Sequence, residues 1–434
     1  MRLLVVTAGA GGMYCGSCLR DNTLATELMA RGHDVVLLPV YTPTRTDEEN
    51  VSDSRVFFSG ISVYLEQHVP LFRKTPAMLD FIWDAPAVIR LATGRGVSVD
   101  PEFLGDMTVS MLRGEQGHQA KEFRKLIAYL RHEAPFDVIV LPTSLLASLA
   151  PPLRRELRRP VVCTLSGEDL FLEGLPLPQR DQSKALIAEA APAVHSFIAT
   201  SEYYADFMAG YLGLPRRQIA VAPLGIHFDG LEPKASASPD RPLTIGYLAR
   251  IAPEKGLHLL ASAYIRLRRE LGLENARLEV AGYLAPEHRT YLDAVAKALA
   301  AVGLEGEFRC HETIDRPRKL AFLQSLDLLS VPSPYAEPKG LYLLEALACG
   351  VPVVEPQHGA FPEMIEKTGG GVLFAPGDIG DLAARLLELA KDPARRRELG
   401  RRGSENVRRH YSAARMAERT LEICAEARAA FGAA

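Results

Sequence analysis

Residues 337–356 read EPKGLYLLEALACGVPVVEP and contain both kinds of element from which the fold is built. The run from Tyr342 to Cys349 has helical periodicity and is followed by Gly350, and the residues from Pro352 to Glu355 are typical of a buried strand. The same alternation of short apolar runs with helical segments extends through the second half of the chain. Strands that alternate with helices indicate a parallel sheet covered by helices on both faces.

Six apolar runs in the second half are interpreted as strands. They are Leu243 to Tyr247, Leu278 to Ala281, Phe308 to Cys310, Leu328 to Val331, Pro352 to Glu355 and Val372 to Phe374. The first half begins similarly, with a strand from Leu3 to Ala8, a glycine-rich turn, a helix and a strand from Val35 to Val40. Four later runs repeat the strand pattern: Val138 to Leu141, Val161 to Leu165, Phe197 to Ala199 and Ile219 to Ala222. The irregular stretch from Thr42 to Gly117 is interpreted as loops and helices.

The chain of 434 residues is longer than one hydrophobic core usually supports. The segment from His227 to Pro242 is rich in Asp, Gly, Pro and Ser and is the best candidate for a linker. We therefore predict an α/β protein with two Rossmann-like parallel-sheet domains, residues 1–232 and 241–411, that face each other across a cleft. In such sheets ligands bind at the carboxyl ends of the strands.

The composition narrows the functional class. With 47% hydrophobic and 24% charged residues the chain has the profile of a globular protein, and a net charge of −3 argues against a nucleic-acid-binding surface. Six cysteines spread over a long chain fit a reducing cytoplasm. The first apolar run ends at Gly9 and suits a buried strand better than a signal peptide, and no run approaches the roughly 20 apolar residues of a membrane span. We expect a soluble, cytoplasmic protein.

Charged residues in the second half lie where phosphates are commonly bound. Arg250 and Lys255 belong to one strand-to-helix loop, GYLARIAPEKG at 246–256. Glu337 and Glu345 flank the turn at Gly340, where a helix begins whose free amides suit a phosphate. Glu345 has apolar neighbours on both sides, which makes an unbonded carboxylate costly there. The alternative is that these are solvated turns and an exposed helix with incidental charges.

A third strand-to-helix turn, from His358 to Glu363, could close over a ligand through its backbone amides. By itself this signal is weak.

Together with GGGVLFAPGD at 369–378, these motifs resemble glycosyltransferase family 4, a large group of retaining enzymes with the GT-B fold. The resemblance is dense in the second half of the chain and loose in the first. It implies that Arg250 and Lys255 bind the diphosphate of the donor, that Glu337 contacts the donor sugar and that Glu345 holds the ribose. It also implies phosphate contacts for the amides of Gly340 and Leu341, and a last helix, 412–434, that returns to the first domain.

In the first half the resemblance places Gly11 and Gly12 in the glycine loop of the family, where backbone approaches donor and acceptor. Ser166 stands where the family usually has a histidine that contacts the donor sugar, so the identity of the sugar is in doubt.

The implied reaction moves a hexose from a UDP-, GDP- or ADP-sugar to a hydroxyl of a sugar, lipid or small molecule, with retention by front-face transfer. It needs no metal, no further cofactor and no protein nucleophile. Arg250 and Lys255 would instead stabilise the departing diphosphate.

Three features of the first half admit other interpretations. The glycines before Tyr14 do not complete a dinucleotide-binding fingerprint, because Tyr14 stands where the third glycine is required and no acid ends the second strand. The pair Cys15 and Cys18 either packs beside the glycine loop or forms a redox-sensitive disulfide. Glu168 and Asp169 either contact an acceptor or cap a helix.

Two alternatives concern partners and activity. The basic run at 153–159 is either a solvated helix face or a peripheral contact with a membrane surface. A sugar-nucleotide-binding protein without catalytic activity has the same fold, but the complete set of Arg250, Lys255, Glu337 and Glu345 argues against it.

Overall fold

The computed structural model describes residues 1–9, 15–58, 63, 66–67, 101–233, 241–312 and 314–433. Its contacts divide the chain into two compact units. The first comprises Met1–Ala222 and Met416–Ala434, and the second comprises Pro223–Arg415. The domain boundaries given above stay predictions.

The first unit contains a six-stranded parallel sheet in the order β2-β1-β3-β4-β5-β6. Its strands are β1 Arg2–Thr7, β2 Asp34–Pro39, β3 Val138–Leu141, β4 Val161–Thr164, β5 Ser196–Ala199 and β6 Ile219–Val221. The described α-helices between them are α1 Gly16–Ala30, α2 Pro101–Leu112, α3 Ala120–His132, α4 Ala150–Leu157, α5 Glu168–Glu173, α6 Leu177–Ala190 and α7 Glu202–Leu212.

The second unit contains another six-stranded parallel sheet, in the order β12-β11-β10-β7-β8-β9. Its strands are β7 Leu243–Leu248, β8 Ala276–Gly282, β9 Phe308–Glu312, β10 Leu328–Leu329, β11 Val353–Pro356 and β12 Gly371–Phe374. The α-helices are α8 Leu257–Arg269, α9 Arg289–Ala300, α10 Arg316–Ser325, α11 Leu341–Ala348, α12 Phe361–Thr368, α13 Ile379–Lys391 and α14 Pro393–His410. The last helix of the chain is α15, Ala413–Gly432.

Strand β1 shows why the first sheet is buried on both faces. Leu4 and Val6 belong to one apolar cluster, while Leu3 and Val5 belong to another. Successive side chains of a strand point to opposite faces, so an apolar run without alternation requires cover on both sides. Part of the cover over Leu3 and Val5 comes from α15, which contributes apolar side chains to the same cluster.

The strand order of the second sheet fixes where a ligand can bind. β8 and β9 lie on one side of β7, and β10, β11 and β12 lie on the other. In an open parallel sheet the crevice outside the carboxyl ends of the strands, at the point where the order reverses, is the usual ligand site. In this sheet that point lies between β7 and β10. The loops that follow these two strands carry Arg250, Lys255 and Glu337.

The predicted α/β class with two parallel sheets is confirmed, and all twelve strand runs found in the sequence form strands, with ends shifted by a few residues. Much of the irregular stretch between Thr42 and Gly117 lies outside the described residues; its described part includes α2. Among the described residues, no helix combines the length and apolar character that crossing a bilayer requires.

Candidate active site

A glycine brings together the loops that follow β7 and β10. Gly256 has φ of +74°, and a Cβ added there would lie 2.0 Å from the carbonyl oxygen of Pro332. Only glycine permits so close an approach in this backbone conformation. The contact is reinforced by Ser333, whose hydroxyl donates to the carbonyl of Glu254 over 2.8 Å. The loop with the basic residues is thereby held against the chain segment that carries Glu337.

At this junction Lys255 and Glu337 form a hydrogen-bonded ion pair. The two side chains are 13% and 7% exposed, respectively. Burial alone would raise the pKa of Glu337, but the charge and hydrogen bond of Lys255 outweigh it, with smaller help from Lys339 and Arg250. The net pKa of Glu337 lies below its ordinary value. A charged carboxylate is therefore held where little water reaches it, and an ionised carboxylate accepts strong hydrogen bonds from hydroxyl and amide donors.

The turn after β11 fixes the backbone of Glu337 through a hydrogen bond. The amide of Ala360 donates to the carbonyl of Glu337 over 2.9 Å, and Gly359 has φ of +63° beside it. His358 Nε2 donates to the carbonyl of Ser333 over 2.9 Å, and burial lowers the pKa of this histidine, so it is neutral. Since the Ala360 amide is engaged with Glu337, the predicted closure of this turn over a ligand does not extend to that amide.

Helices α8 and α11 begin in the segments that follow β7 and β10, and at the start of α11 backbone amides are left without acceptors in the described part of the chain. Its N-cap is Gly340, with φ of +75°. Among the described residues, the amides of Leu341 and Tyr342 have no acceptor. The start of α8 differs, because the hydroxyl of Tyr291 accepts the amide of His258 over 3.0 Å. Unpaired amides and the helix dipole favour an anion at the start of α11 more than at the start of α8.

Arg250 is more exposed than Lys255. Its side chain is 40% exposed and pairs with Glu254, four residues further along the loop, at 3.0 Å. Its carbonyl accepts the buried Tyr247 hydroxyl over 2.9 Å, which fixes the backbone while the side chain stays accessible. In the part of the chain that the structure describes, no three His, Cys, Asp or Glu side chains are grouped as metal ligands.

Glu345 lies on α11 and is half-buried, with its Oε1 accepting a hydrogen bond from Lys319 of α10 at 2.6 Å. The structure thus places Arg250, Lys255, Glu337, Gly340, Leu341 and Glu345 on the loops and helix that follow β7 and β10. Their roles in binding stay predictions. The partner Lys319 could not be inferred from the sequence, because it lies on a different helix.

Glu355 is a buried acid that the sequence analysis treated only as a strand end. It is fully buried on β11, where Oε1 accepts the amide of Val331 over 3.3 Å. Burial raises the pKa of Glu355 well above its ordinary value, and the charge of Glu337 raises it further. Among the described residues, its Oε2 and the hydroxyl of Tyr342 have no hydrogen-bond partner. The sequence signal was a glutamate in the otherwise apolar run VPVVEP.

In the first unit, Ser166 follows β4 and donates its hydroxyl hydrogen to the carbonyl of Pro142 over 2.8 Å. The predicted glycine-loop residues Gly11 and Gly12 lie outside the described residues. Glu168 is buried and accepts from the amide and hydroxyl of Ser144 and from the amide of Ser166. It therefore ties together the loops after β3 and β4.

Asp169 is also buried and accepts the Tyr204 hydroxyl over 2.7 Å, while that hydroxyl accepts the amide of Gly167 over 2.9 Å. Glu168 and Asp169 both support the loop that follows β4, which neither of the two interpretations given for them had anticipated.

The cysteine pair at the start of α1 consists of free thiols. Cys18 is fully buried, and a hydrogen bond with Cys15 together with burial raises its pKa. A thiol of this kind is a poor nucleophile. The redox role of the pair stays a prediction.

The basic run at 153–159 forms most of α4 and the turn after it. Arg155 makes a two-pronged pair with Glu115, and the guanidinium of Arg154 lies over the ring of Phe431, 5.2 Å from its centroid. These guanidinium groups are engaged with the protein itself. A membrane contact at this helix stays a prediction.

Comparison with known proteins adds independent information. A family model described as "Glycosyl transferases group 1" matches residues 230–406, and a "Glycosyl transferase 4-like domain" matches residues 22–225. The alpha-maltose-1-phosphate synthase of Mycolicibacterium smegmatis is 33% identical over 193 residues, 42% of this chain and 48% of that protein. The chain spans about half the length of the first curated relatives that it matches.

Solved structures have the same fold. Sucrose-phosphate synthase from Thermosynechococcus elongatus aligns over 100% of both chains with a TM-score of 0.72 and 18% identity. Anabaena Alr3699/HepE, solved with UDP and glucose, covers 98% of this chain and 99% of its own with a TM-score of 0.70 and 16% identity. At such identities the likeness shows the fold alone. Since the two family models match consecutive segments that together cover most of the sequence, the chain belongs to the GT4-type glycosyltransferases of the GT-B fold.

Proposed function

We propose that this protein is a retaining glycosyltransferase that moves a hexose from a nucleotide-diphosphate sugar to a hydroxyl acceptor. The observation that carries the proposal is the buried Lys255–Glu337 ion pair, located where the strand order of the second sheet reverses and next to the free amides of α11. The names of the relatives, which describe sugar-transferring enzymes, and the UDP bound in the HepE structure support the same chemistry.

In the proposed complex the diphosphate meets the amides of Leu341 and Tyr342 and the guanidinium of Arg250. The carboxylate of Glu345 accepts hydrogen bonds from the ribose diol, and the carboxylate of Glu337 accepts from a hydroxyl of the donor sugar. The side-chain cation and the helix amides then stabilise the negative charge of the leaving diphosphate, which a divalent metal stabilises in other transferases. The donor itself would be the only nucleotide required.

Ser166 places a condition on the donor sugar. Its hydroxyl donates its hydrogen to the Pro142 carbonyl over 2.8 Å, so a hydrogen bond with the sugar would be one in which the Ser166 oxygen is the acceptor. In our proposal Ser166 therefore accepts a hydrogen bond from a sugar hydroxyl.

The proposed transfer takes place on one face of the sugar. The bond between the anomeric carbon and the phosphate oxygen breaks, and a bond from that carbon to the acceptor oxygen forms on the same side. The proton of the acceptor hydroxyl passes to a phosphate oxygen, and the nucleoside diphosphate leaves. Positioning and charge stabilisation supply the catalysis, so no protein nucleophile is assigned.

The test is a panel of UDP-, GDP- and ADP-sugars with the full-length protein. We expect one nucleotide class to raise the thermal unfolding midpoint, because a ligand that binds only the folded state stabilises it. We also expect release of the same nucleoside diphosphate and a product whose anomeric configuration, measured by NMR, matches that of the donor. An inverted product would refute the retaining mechanism. Stabilisation without any nucleotide release, across acceptors of all three classes, would favour the binding-only alternative.

Three variants test the residues. Glu345→Ala should weaken binding of the nucleotide, and Arg250→Ala and Lys255→Ala should mainly lower turnover. Wild-type turnover in both cation variants would refute the proposed mechanism.

A further inference from the structure

The ion pair between Lys319 and Glu345 joins two helices that approach the same crevice. Lys319 Nζ lies 2.6 Å from Glu345 Oε1, and the side chains are 12% and 16% exposed. Lys319 belongs to the first turns of α10, which begins at an N-cap formed by Asp315, whose Oδ1 accepts the amide of Arg318 over 3.0 Å. The cap fixes the start of α10 and with it the position of the ammonium.

Lys319 contacts only one of the two carboxylate oxygens of Glu345, Oε1. Within the described residues, Oε2 accepts no hydrogen bond, and it is not among the atoms sealed from solvent without a partner. An ionised carboxylate has about four acceptor positions on its two oxygens. One oxygen is therefore tied to the protein, and the other remains open to a ligand.

We infer that Lys319 is a positioning residue for the ribose of the bound nucleotide, acting by holding Glu345 with Oε2 directed at the ribose diol. This inference rests on the proposed function, in which Glu345 binds the ribose. A carboxylate fixed before the ligand arrives loses less side-chain freedom on binding than a mobile one, so its hydrogen bonds contribute more to affinity.

The competing explanation is an ion pair that merely stabilises the contact between α10 and α11. The two explanations differ in what they predict for the ligand. A positioning residue affects the part of the affinity that depends on the ribose hydroxyls. A purely structural pair affects the folding stability, and it affects every nucleotide equally.

The experiment compares ribonucleotides with analogues that lack the diol. Isothermal titration calorimetry on the full-length protein uses UDP, GDP and ADP and the 2′,3′-dideoxy form of each nucleotide that binds. The variants are Lys319→Met, Lys319→Arg and a control, Lys367→Met, which removes an exposed lysine paired with Glu363 in the same unit.

We expect Lys319→Met to raise the Kd of the ribonucleotide about tenfold and that of the dideoxy form less than about twofold. Lys319→Arg should keep most of the preference for the ribonucleotide, since it retains the charge. Lys367→Met should leave both Kd values unchanged.

Three results would overturn the inference while leaving the proposed function intact. In the first, Lys319→Met raises both Kd values by the same factor. In the second, it changes neither. In the third, the wild-type protein transfers sugar but binds ribonucleotide and dideoxynucleotide equally well. If the wild-type protein binds none of the three ribonucleoside diphosphates, the proposed function fails and the inference fails with it.

Discussion

Replacement of Lys255 by methionine should destabilise the second unit by an amount that depends on pH. Glu337 is only 5% exposed, and Lys255 is the main cation that lowers its pKa below the ordinary value of 4.5. Without the ammonium, the carboxylate is buried and unpaired unless it takes up a proton. Removal of one partner of a buried pair typically costs about 3–5 kcal/mol.

Proton uptake sets an upper limit on the part of this loss that comes from the unpaired charge in the variant. Keeping a carboxyl with an ordinary pKa of 4.5 protonated costs about 1.4 kcal/mol for each pH unit above that value. The limit is therefore about 3.4 kcal/mol near pH 7, which is 2.5 units above, and about 0.7 kcal/mol near pH 5. In the wild type the stability changes with pH in the opposite direction. The lowered pKa of Glu337 stabilises the fold above pH 4.5, and this stability is lost as the pH falls. The gap between wild type and variant should therefore widen as the pH rises.

The assay is urea unfolding near pH 5, 7 and 8. The double variant Lys255→Met/Glu337→Gln should regain most of the stability near pH 7, because the amide carries no charge. It should not regain turnover, because the double variant lacks both the charged carboxylate of Glu337 and the ammonium that keeps it charged. Lys367→Met is the matched control: its exposed pair with Glu363 lies at 2.8 Å, and its loss should stay below about 0.5 kcal/mol at each pH. A deficit that is equal near pH 5 and pH 8, or one that Glu337→Gln fails to repair, would refute the electrostatic explanation.

Three further predictions concern other positions. Gly256→Ala should lower the unfolding free energy in urea by about 1–3 kcal/mol more than Gly272→Ala does, because both glycines have positive φ but only the first has a backbone oxygen 2.0 Å from the new Cβ. The free energy of unfolding of Glu355→Gln should rise relative to that of the wild type as the pH is raised from 5 to 8, because the raised pKa of Glu355 makes the wild type take up a proton on folding. A difference between the two proteins that stays constant over this range would contradict the raised pKa. The Cys18 thiol should react with a chromogenic disulfide reagent only after unfolding, because it is fully buried, and rapid labelling of the native protein would show otherwise.

The fold was predictable because parallel strands are buried on both faces. Such strands form continuous apolar runs, and the runs in this chain stand out from the amphipathic helices between them. At β10 the apolar run overestimates the length of the strand. The predicted strand from Leu328 to Val331 is paired only over Leu328–Leu329, because the chain then turns away to make the contacts of Ser333 and Gly256. An apolar run shows where a strand lies but does not show where pairing stops.

The site was predictable only in part, because the sequence shows which charged groups are present and not which of them meet. Lys255 and Glu337 could both be named, but their ion pair joins residues that are 82 positions apart. The contact with Lys319 and the use of Glu168 as a tie between two loops also depend on neighbours distant in sequence. Glu355 shows the converse case, in which a pattern that indicates a strand hides a buried acid.

The two cations at the candidate site are not equivalent. Lys255 is committed to a buried carboxylate, whereas the Arg250 side chain is 40% exposed and pairs with Glu254 in a solvent-accessible contact, a kind that is worth only about 0.2–1 kcal/mol. Lys255 cannot turn to a diphosphate without leaving Glu337 unpaired, but Arg250 can exchange its partner at little cost. Catalysis needs interactions that strengthen as charge develops on the leaving group. In the proposed complex Arg250 would therefore be the side chain that suits the departing diphosphate, and Lys255 would act by keeping Glu337 charged next to the donor sugar.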